Sequence, residues 1–248
     1  MLPKIDVPIY ELKLISCKEP VRFRPFLVKE QKLLLMAQEA VQSESDDNKD
    51  TTINVVKQII NNCVLSDVNV NNLPMFDIEY LFLNLRARSM GENIKLSFRC
   101  VNEIENESKE LVKCNSIVEI DMNILNVHPK IVAEHSNKIV INEKLGLLMK
   151  YPTLEIISKI DMDNQDSVLE LIMSCIDSIY DEETIYYTKD VERKELEEFV
   201  DGLPTQIIED IKNFFDTIPK IKEDVQFKCG KCGYEELIPI EGLDSFFV

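Results

Sequence analysis

The chain ends in a Cys-x-x-Cys motif that restricts the local fold more than any other part of the sequence. In the segment 227–248, Cys229 and Cys232 are each followed by a glycine. Two cysteines at this spacing can direct both thiolates at one tetrahedral metal centre, and glycine accepts the positive φ that such a turn needs. The motif predicts half of a zinc ribbon, formed by a turn between two short strands that carry Phe227 and Tyr234.

A complete zinc ribbon needs a second pair of ligands, and the sequence contains no second Cys-x-x-Cys motif. Cys100 and Cys114 are the candidates, because each lies on or beside a predicted strand and the two can face each other across a hairpin. Three interpretations remain open. All four cysteines form one zinc site; the terminal pair lies as reduced thiols in a metal-free turn; or another chain, His128 or His135 completes the site.

The sequence carries little of the equipment of an enzyme. A thioredoxin-like redox pair starts a helix, whereas the alternating residues after Gly233 predict a strand. The chain has no phosphate-binding glycine loop, no nucleophile elbow and no His-Glu-x-x-His motif, and it contains 6 glycines and 2 histidines in all. We therefore predict a protein without catalytic activity.

The charge balance argues against two classes of partner. The 248 residues carry a formal net charge of -17. This excess of carboxylates repels phosphate backbones and anionic lipids, so neither nucleic acid nor membrane is an expected partner. The N-terminal sequence does not resemble a signal peptide, and no apolar run is long enough to cross a bilayer. The 7 scattered cysteines are typical of reduced thiols in a cytoplasm.

The order of the predicted elements indicates an α+β fold in two domains. Residues 1–152 are predicted to form an α+β domain with an N-terminal β-hairpin, helices and a small antiparallel sheet. Residues 153–248 are predicted to be mostly helical and to end in the Cys-x-x-Cys β-knuckle. The predicted elements are a hairpin at 9–27; helices at 26–40, 51–64 and 76–88, the last ended by Gly91; strand pairs at 94–100 with 111–121 and 137–141 with 146–151; and helices at 154–160, 167–180, 190–200 and 204–217.

An apolar tail closes the chain. Leu243, Phe246 and Phe247 lie within the last residues of the sequence, and a free end of this kind exposes a large apolar surface unless it is packed. The tail either packs on the protein's own helices or docks into a groove of a partner, in which case these residues are the partner-binding site.

Several segments together resemble one protein family. They are RFRPFLVKEQKLLLM at 22–36, IINNCVL at 59–65, LPMFDIEYLFLNLRARS at 73–89, LLMKYPTLE at 147–155, CGKCGYEE at 229–236 and LDSFF at 243–247. Over nearly the whole chain, these segments resemble the baseplate hub subunit and hub-assembly catalyst family of T-even-type contractile-tailed phages (myoviruses). In that family name, "catalyst" means an assembly helper.

The resemblance implies a non-enzymatic phage tail protein that acts in the baseplate hub through protein–protein contacts. Its implied partners are hub or spike proteins, and its implied location is the cytoplasm of the infected bacterium during assembly, or the virion baseplate. The role is that of an assembly chaperone or of a structural subunit. Only the cysteine knuckle, Cys229 and Cys232, is carried over residue by residue.

The alternative function is a zinc-ribbon accessory factor that binds the transcription machinery. Such a factor needs a basic face around the knuckle. The sequence supplies this poorly, because Lys228 and Lys231 are offset by Glu235, Glu236 and Glu241.

Overall fold

A computed structural model describes residues 5–42, 48–105, 109–157, 160 and 167–242. The helices are α1 (Val28–Gln42), α2 (Asn48–Cys63), α3 (Met75–Met90), α4 (Leu154–Ile157), α5 (Ser167–Cys175), α6 (Arg193–Asp201) and α7 (Thr205–Asp216). The strands are β1 (Tyr10–Leu12), β2 (Val21–Phe23), β3 (Asn93–Arg99), β4 (Glu103–Glu105), β5 (Leu111–Lys113), β6 (Ile117–Asn123), β7 (Pro129–Lys130), β8 (Lys138–Val140), β9 (Gly146–Met149), β10 (Ile176–Tyr180), β11 (Ile185–Tyr187), β12 (Lys220–Lys228) and β13 (Glu235–Glu241). None of the helices in these ranges is long and apolar enough to cross a membrane.

The described residues form two compact units that are not continuous in sequence. The first unit draws on Met1–Val68, Phe76–Lys130 and Lys220–Val248, and the second on Asn69–Met75 and Ile131–Pro219. The domain boundary predicted from the sequence, with domains at 1–152 and 153–248, stays a prediction.

Helix α3 is the central helix of the first unit, and it confirms the helix predicted at 76–88. A helix of this kind is apolar on nearly every side because neighbouring elements surround it. Gly91 has φ +105° and donates its N–H to the carbonyl of Ala87 at 3.1 Å, which ends the helix as expected. The buried apolar residues of α3 are Phe76, Ile78, Leu81, Phe82, Leu83, Leu85 and Ala87.

Besides its helices α1, α2 and α3, the first unit contains short antiparallel strand pairs. β1 pairs with β2, which confirms the predicted N-terminal hairpin. β3 pairs with β6, β4 with β5, and β12 with both β13 and β7. The strand predicted at 111–121 is interrupted after Lys113 and resumes at Ile117, with Asn115 at φ +52° between the two parts. Side chains from β3, β12 and β13 share a core with α3; they include Ile94, Leu96, Ile221, Val225 and Ile240.

The second unit contains a four-stranded antiparallel sheet in the order β11-β10-β9-β8. The pairing of β8 with β9 confirms the strands predicted around 137–151. α5, α6 and α7 contribute Ile172, Leu196 and Ile211 to its core. Phe214 is 1% exposed in that core, and burial of a side chain of this size contributes about 1.5–3 kcal/mol.

The expectation of a mostly helical C-terminal part is wrong, and with it the predicted fold class. Beyond residue 152 the chain forms β10, β11 and the long β12–β13 hairpin in addition to its helices. The helix predicted at 167–180 ends at Cys175, and Ile176 to Tyr180 pair with β9 instead. Ile176 and Ile179 in this run are β-branched and buried, and the strand lies between β9 and β11. Such pairing outweighs local helix propensity. The result is a chain of many small antiparallel sheets.

Candidate metal centre

The Cys-x-x-Cys motif forms the tight turn between β12 and β13. The strands pair up to Lys228 and Glu235, directly beside the turn. Within the turn, the N–H of Cys229 bonds the carbonyl of Tyr234 at 2.8 Å, and the N–H of Gly233 bonds the carbonyl of Cys229 at 2.9 Å. Gly233 has φ +76°, as the sequence predicted. Gly230 has no positive φ, so the conformational freedom of glycine is needed after the second cysteine only.

Cys100 and Cys114 lie where the β3–β6 hairpin passes into the β4–β5 hairpin. The N–H of Cys100 bonds the carbonyl of Ser116 at 2.8 Å, and its carbonyl accepts the N–H of Asn115 at 3.1 Å. The N–H of Cys114 bonds the carbonyl of Asn102 at 2.8 Å. The positive φ of Asn115 makes the turn that carries Cys114, and Asn is one of the few residues that tolerates this conformation.

The structure brings the four sequence-predicted cysteines into one cluster. Their Sγ atoms all lie within 4.8 Å of one another. The Sγ atoms of Cys100 and Cys232 are 3.6 Å apart, and those of Cys114 and Cys229 are 3.8 Å apart. All four are free thiols. Cys100, Cys114 and Cys229 are buried, whereas Cys232 is half-buried.

The knuckle favours thiolates at its own two positions. Hydrogen bonds from the backbone N–H groups of Cys232 and Lys231 lower the pKa of Cys229 to about 6. The backbone N–H of Tyr234 lowers the pKa of Cys232, and the side chain of Asn102 adds a donor 3.7 Å from its Sγ. These donors compensate negative charge on sulfur. Sequence reasoning missed Asn102, whose only sequence clue is its place two residues after Cys100.

The pKa values of the other two thiols are raised instead. Burial raises the pKa of Cys100 to about 12. The pKa of Cys114 is also raised: a hydrogen bond from the backbone of Ser116 lowers it, but burial and the thiols of Cys229 and Cys232 outweigh that bond. Apolar side chains surround the cluster; they are Phe98, Ile104, Val118, Ile120, Phe227, Tyr234 and Ile238. A cation at the centre would remove the cost of deprotonating these two thiols.

The two histidines have other partners. His128 shares a hydrogen bond with the hydroxyl of Tyr80 at 2.8 Å. In the second unit, His135 contacts Thr217 at 2.9 Å and Tyr151 at 3.0 Å. Among the described residues, the cluster consists of cysteines alone. The predicted tail residues Leu243, Phe246 and Phe247 lie outside the described residues.

The fold and the cluster together define a class of protein. Small antiparallel hairpins meet at a set of four thiols, which could supply all four ligands of one tetrahedral centre. Such an arrangement suits a structural centre, because a catalytic metal keeps one position open. The described residues thus define a protein of many small antiparallel sheets in which four cysteines lie together.

The sequence places the chain in a phage family. Residues 7–248 match the family described as T4 bacteriophage base plate protein, and the chain belongs to this family. It is similar to the baseplate hub assembly protein gp26 of Enterobacteria phage T4, with 25% identity over 245 residues, which cover 98% of this chain and 97% of that protein. The resemblance noted from the sequence segments is thus confirmed. No solved structure matches the chain.

Proposed function

We propose that this protein acts in the central hub of a phage tail baseplate, as a non-enzymatic assembly factor or structural subunit. The observation that carries the proposal is the full-length similarity to a protein named for hub assembly, over 98% of this chain and 97% of that protein. The protein acts through contacts with hub or spike proteins in the cytoplasm of the infected bacterium.

The buried carboxylates that the structure describes support a role without catalysis. Glu30 forms an ion pair with Arg24 at 3.1 Å. Asp77 accepts the backbone N–H groups of Ile15 and Ser16 at 3.0 and 2.9 Å, which fixes the loop after β1 on α3. Each of these two groups therefore has a structural partner and a structural task.

The charge distribution supports protein partners of opposite charge. A net charge of -17 raises the encounter rate with basic surfaces and disfavours contact with nucleic acid or anionic membranes. The transcription-factor alternative needs a basic face at the knuckle. Instead, Lys228 pairs with Glu235, and Lys220 pairs with Glu241 at the other end of the same hairpin.

Co-expression with the hub and spike proteins of the same phage tests the proposal. The tagged chain should co-purify with a hub component at fixed stoichiometry, and the association should weaken as salt increases. Mass spectrometry of purified virions then distinguishes the two roles, since a subunit is retained and an assembly factor is absent. Co-purification with RNA polymerase and with no hub protein would contradict the proposal and favour the alternative.

A further inference from the structure

We propose that Cys100, Cys114, Cys229 and Cys232 bind one Zn²⁺ ion as a structural tetrathiolate centre. This proposal goes beyond the hub role and does not depend on it. The first argument is geometric. Four ligands at the usual Zn–S distance of about 2.3 Å lie about 3.8 Å from one another in a tetrahedron. Two Sγ pairs of the cluster are separated by 3.6 and 3.8 Å, and no pair exceeds 4.8 Å.

Two local conformations place the thiols at these positions. Gly233 at φ +76° turns the knuckle, and Asn115 at φ +52° turns the loop that carries Cys114. A non-glycine residue in this region costs free energy, and such conformations persist where the surroundings require them. Backbone N–H groups that point at Sγ atoms are a further feature of thiolate ligands.

The donor set favours zinc. Thiolates are soft ligands that select zinc or iron–sulfur clusters over Mg²⁺ and Ca²⁺. An iron–sulfur cluster holds bridging sulfides between its metal ions, which forces its cysteines further apart than the 4.8 Å seen here. A disulfide needs a separation of about 2.05 Å, which neither close pair approaches. A single tetrahedral Zn²⁺ fits the four sulfur atoms.

The centre joins parts of the chain that are distant in sequence. Cys100 and Cys232 are 132 residues apart, and Cys114 and Cys229 are 115 apart. The β3–β6 pair and the β12–β13 pair belong to separate sheets, so no continuous ladder of backbone hydrogen bonds holds them together at this end. The ion supplies that link. A cross-link that closes a long loop restricts the unfolded chain more than one that closes a short loop.

Metal analysis of the full chain tests the proposal. The protein is produced with a tag that contains no histidine, in zinc-supplemented medium, and is purified under reducing conditions. Inductively coupled plasma mass spectrometry should give one zinc ion per chain. The double variant Cys229→Ser/Cys232→Ser should lose the ion, whereas Cys17→Ser, a cysteine outside the cluster, should keep it.

A second measurement covers the case in which the double variant does not fold. X-ray absorption of the wild-type protein should show four sulfur ligands at about 2.3 Å. Replacement of zinc by Co²⁺ should give the charge-transfer and d–d bands of a tetrahedral thiolate complex. A folded wild-type protein that retains no stoichiometric zinc would overturn the proposal, as would iron with inorganic sulfide, or nitrogen and oxygen ligands in the absorption spectrum.

Discussion

Replacement of Arg24 by methionine should destabilise the first unit, because it leaves the buried carboxylate of Glu30 without its main ion-pair partner. The side chain of Glu30 is 0% exposed. It accepts the N–H of Leu27 at 2.9 Å and a guanidinium N–H of Arg24 at 3.1 Å. Arg24 also donates to the carbonyl of Asn62 at 2.7 Å, so it links the start of α1 to the end of α2. Methionine retains much of the apolar stem but has neither charge nor donor.

The uncompensated charge determines the size of the effect. Removal of one partner of a buried ion pair costs about 3–5 kcal/mol. Lys29 lies 3.4 Å from the same carboxylate and retains part of the compensation, so we expect a loss of about 3 kcal/mol. The double variant Arg24→Met/Glu30→Gln leaves no buried charge, and it should regain about 1–2 kcal/mol relative to Arg24→Met alone.

The pH dependence of the pair has a defined sign. Burial raises the pKa of Glu30, but the hydrogen bonds from Arg24 and Leu27 outweigh burial and place the pKa below its ordinary value. Because the pKa of Glu30 is lower in the folded state than in the unfolded state, the ionised carboxylate stabilises the protein at pH values above its unfolded-state pKa of about 4.3. This stabilisation is lost as the pH falls through the pKa of the folded state. The stability difference between wild type and Arg24→Met should therefore shrink below about pH 4.

Urea unfolding followed by circular dichroism, with reductant and zinc held constant, measures these differences. With a slope of about 2–3 kcal/mol per molar urea, a loss of 3 kcal/mol moves the midpoint by about 1–1.5 M. Lys194→Met is the control, because the Lys194–Glu198 side chains are 84% and 72% exposed and such a pair contributes at most about 0.5 kcal/mol. An Arg24→Met midpoint equal to that of the control would refute the reasoning.

Three further predictions concern the metal centre and two glycines. Removal of zinc by a strong chelator under reducing conditions should lower the Tm of the wild-type protein, and added Zn²⁺ should restore it; an unchanged Tm would contradict the structural role of the ion. Gly233→Ala should cost about 1–2 kcal/mol because its φ is +76°, whereas Gly230→Ala, also in open space but without a positive φ, should be nearly neutral; equal midpoints in urea would show that the turn tolerates a side chain. In the second unit, the added Cβ of Gly146→Ala would collide with the hydroxyl of Tyr180 and the carbonyl of Ile139, at a cost of about 1–3 kcal/mol; a thermal unfolding curve like that of the wild type would contradict this packing.

Local patterns were sufficient to predict several elements. The apolar residues of α3 and the glycine that ends it were visible in the sequence, because helix periodicity and C-terminal glycine act over a few residues. The same holds for the β1–β2 hairpin and for the turn at Gly233. The places of Cys100 and Cys114 on or beside predicted strands made them the candidate second pair for the knuckle.

Features that depend on distant residues were harder to predict. The segment Ile176 to Tyr180 reads as the end of a helix, and its pairing with β9 makes it a strand. The interruption at Asn115, which positions Cys114, has no clear local pattern in an otherwise alternating run. The meeting of two hairpins more than a hundred residues apart in sequence depends on the tertiary fold, and spacing alone left three interpretations open.

A null mutant of the gene in the phage that encodes this chain tests the central claim most directly. Electron microscopy of lysates from the infected host would show whether baseplates contain their central hub. We predict that the mutant yields few infectious particles, that its baseplates lack the hub, and that the gene supplied in trans restores both. Normal baseplates and a normal yield of phage in the absence of the protein would contradict a role in the hub.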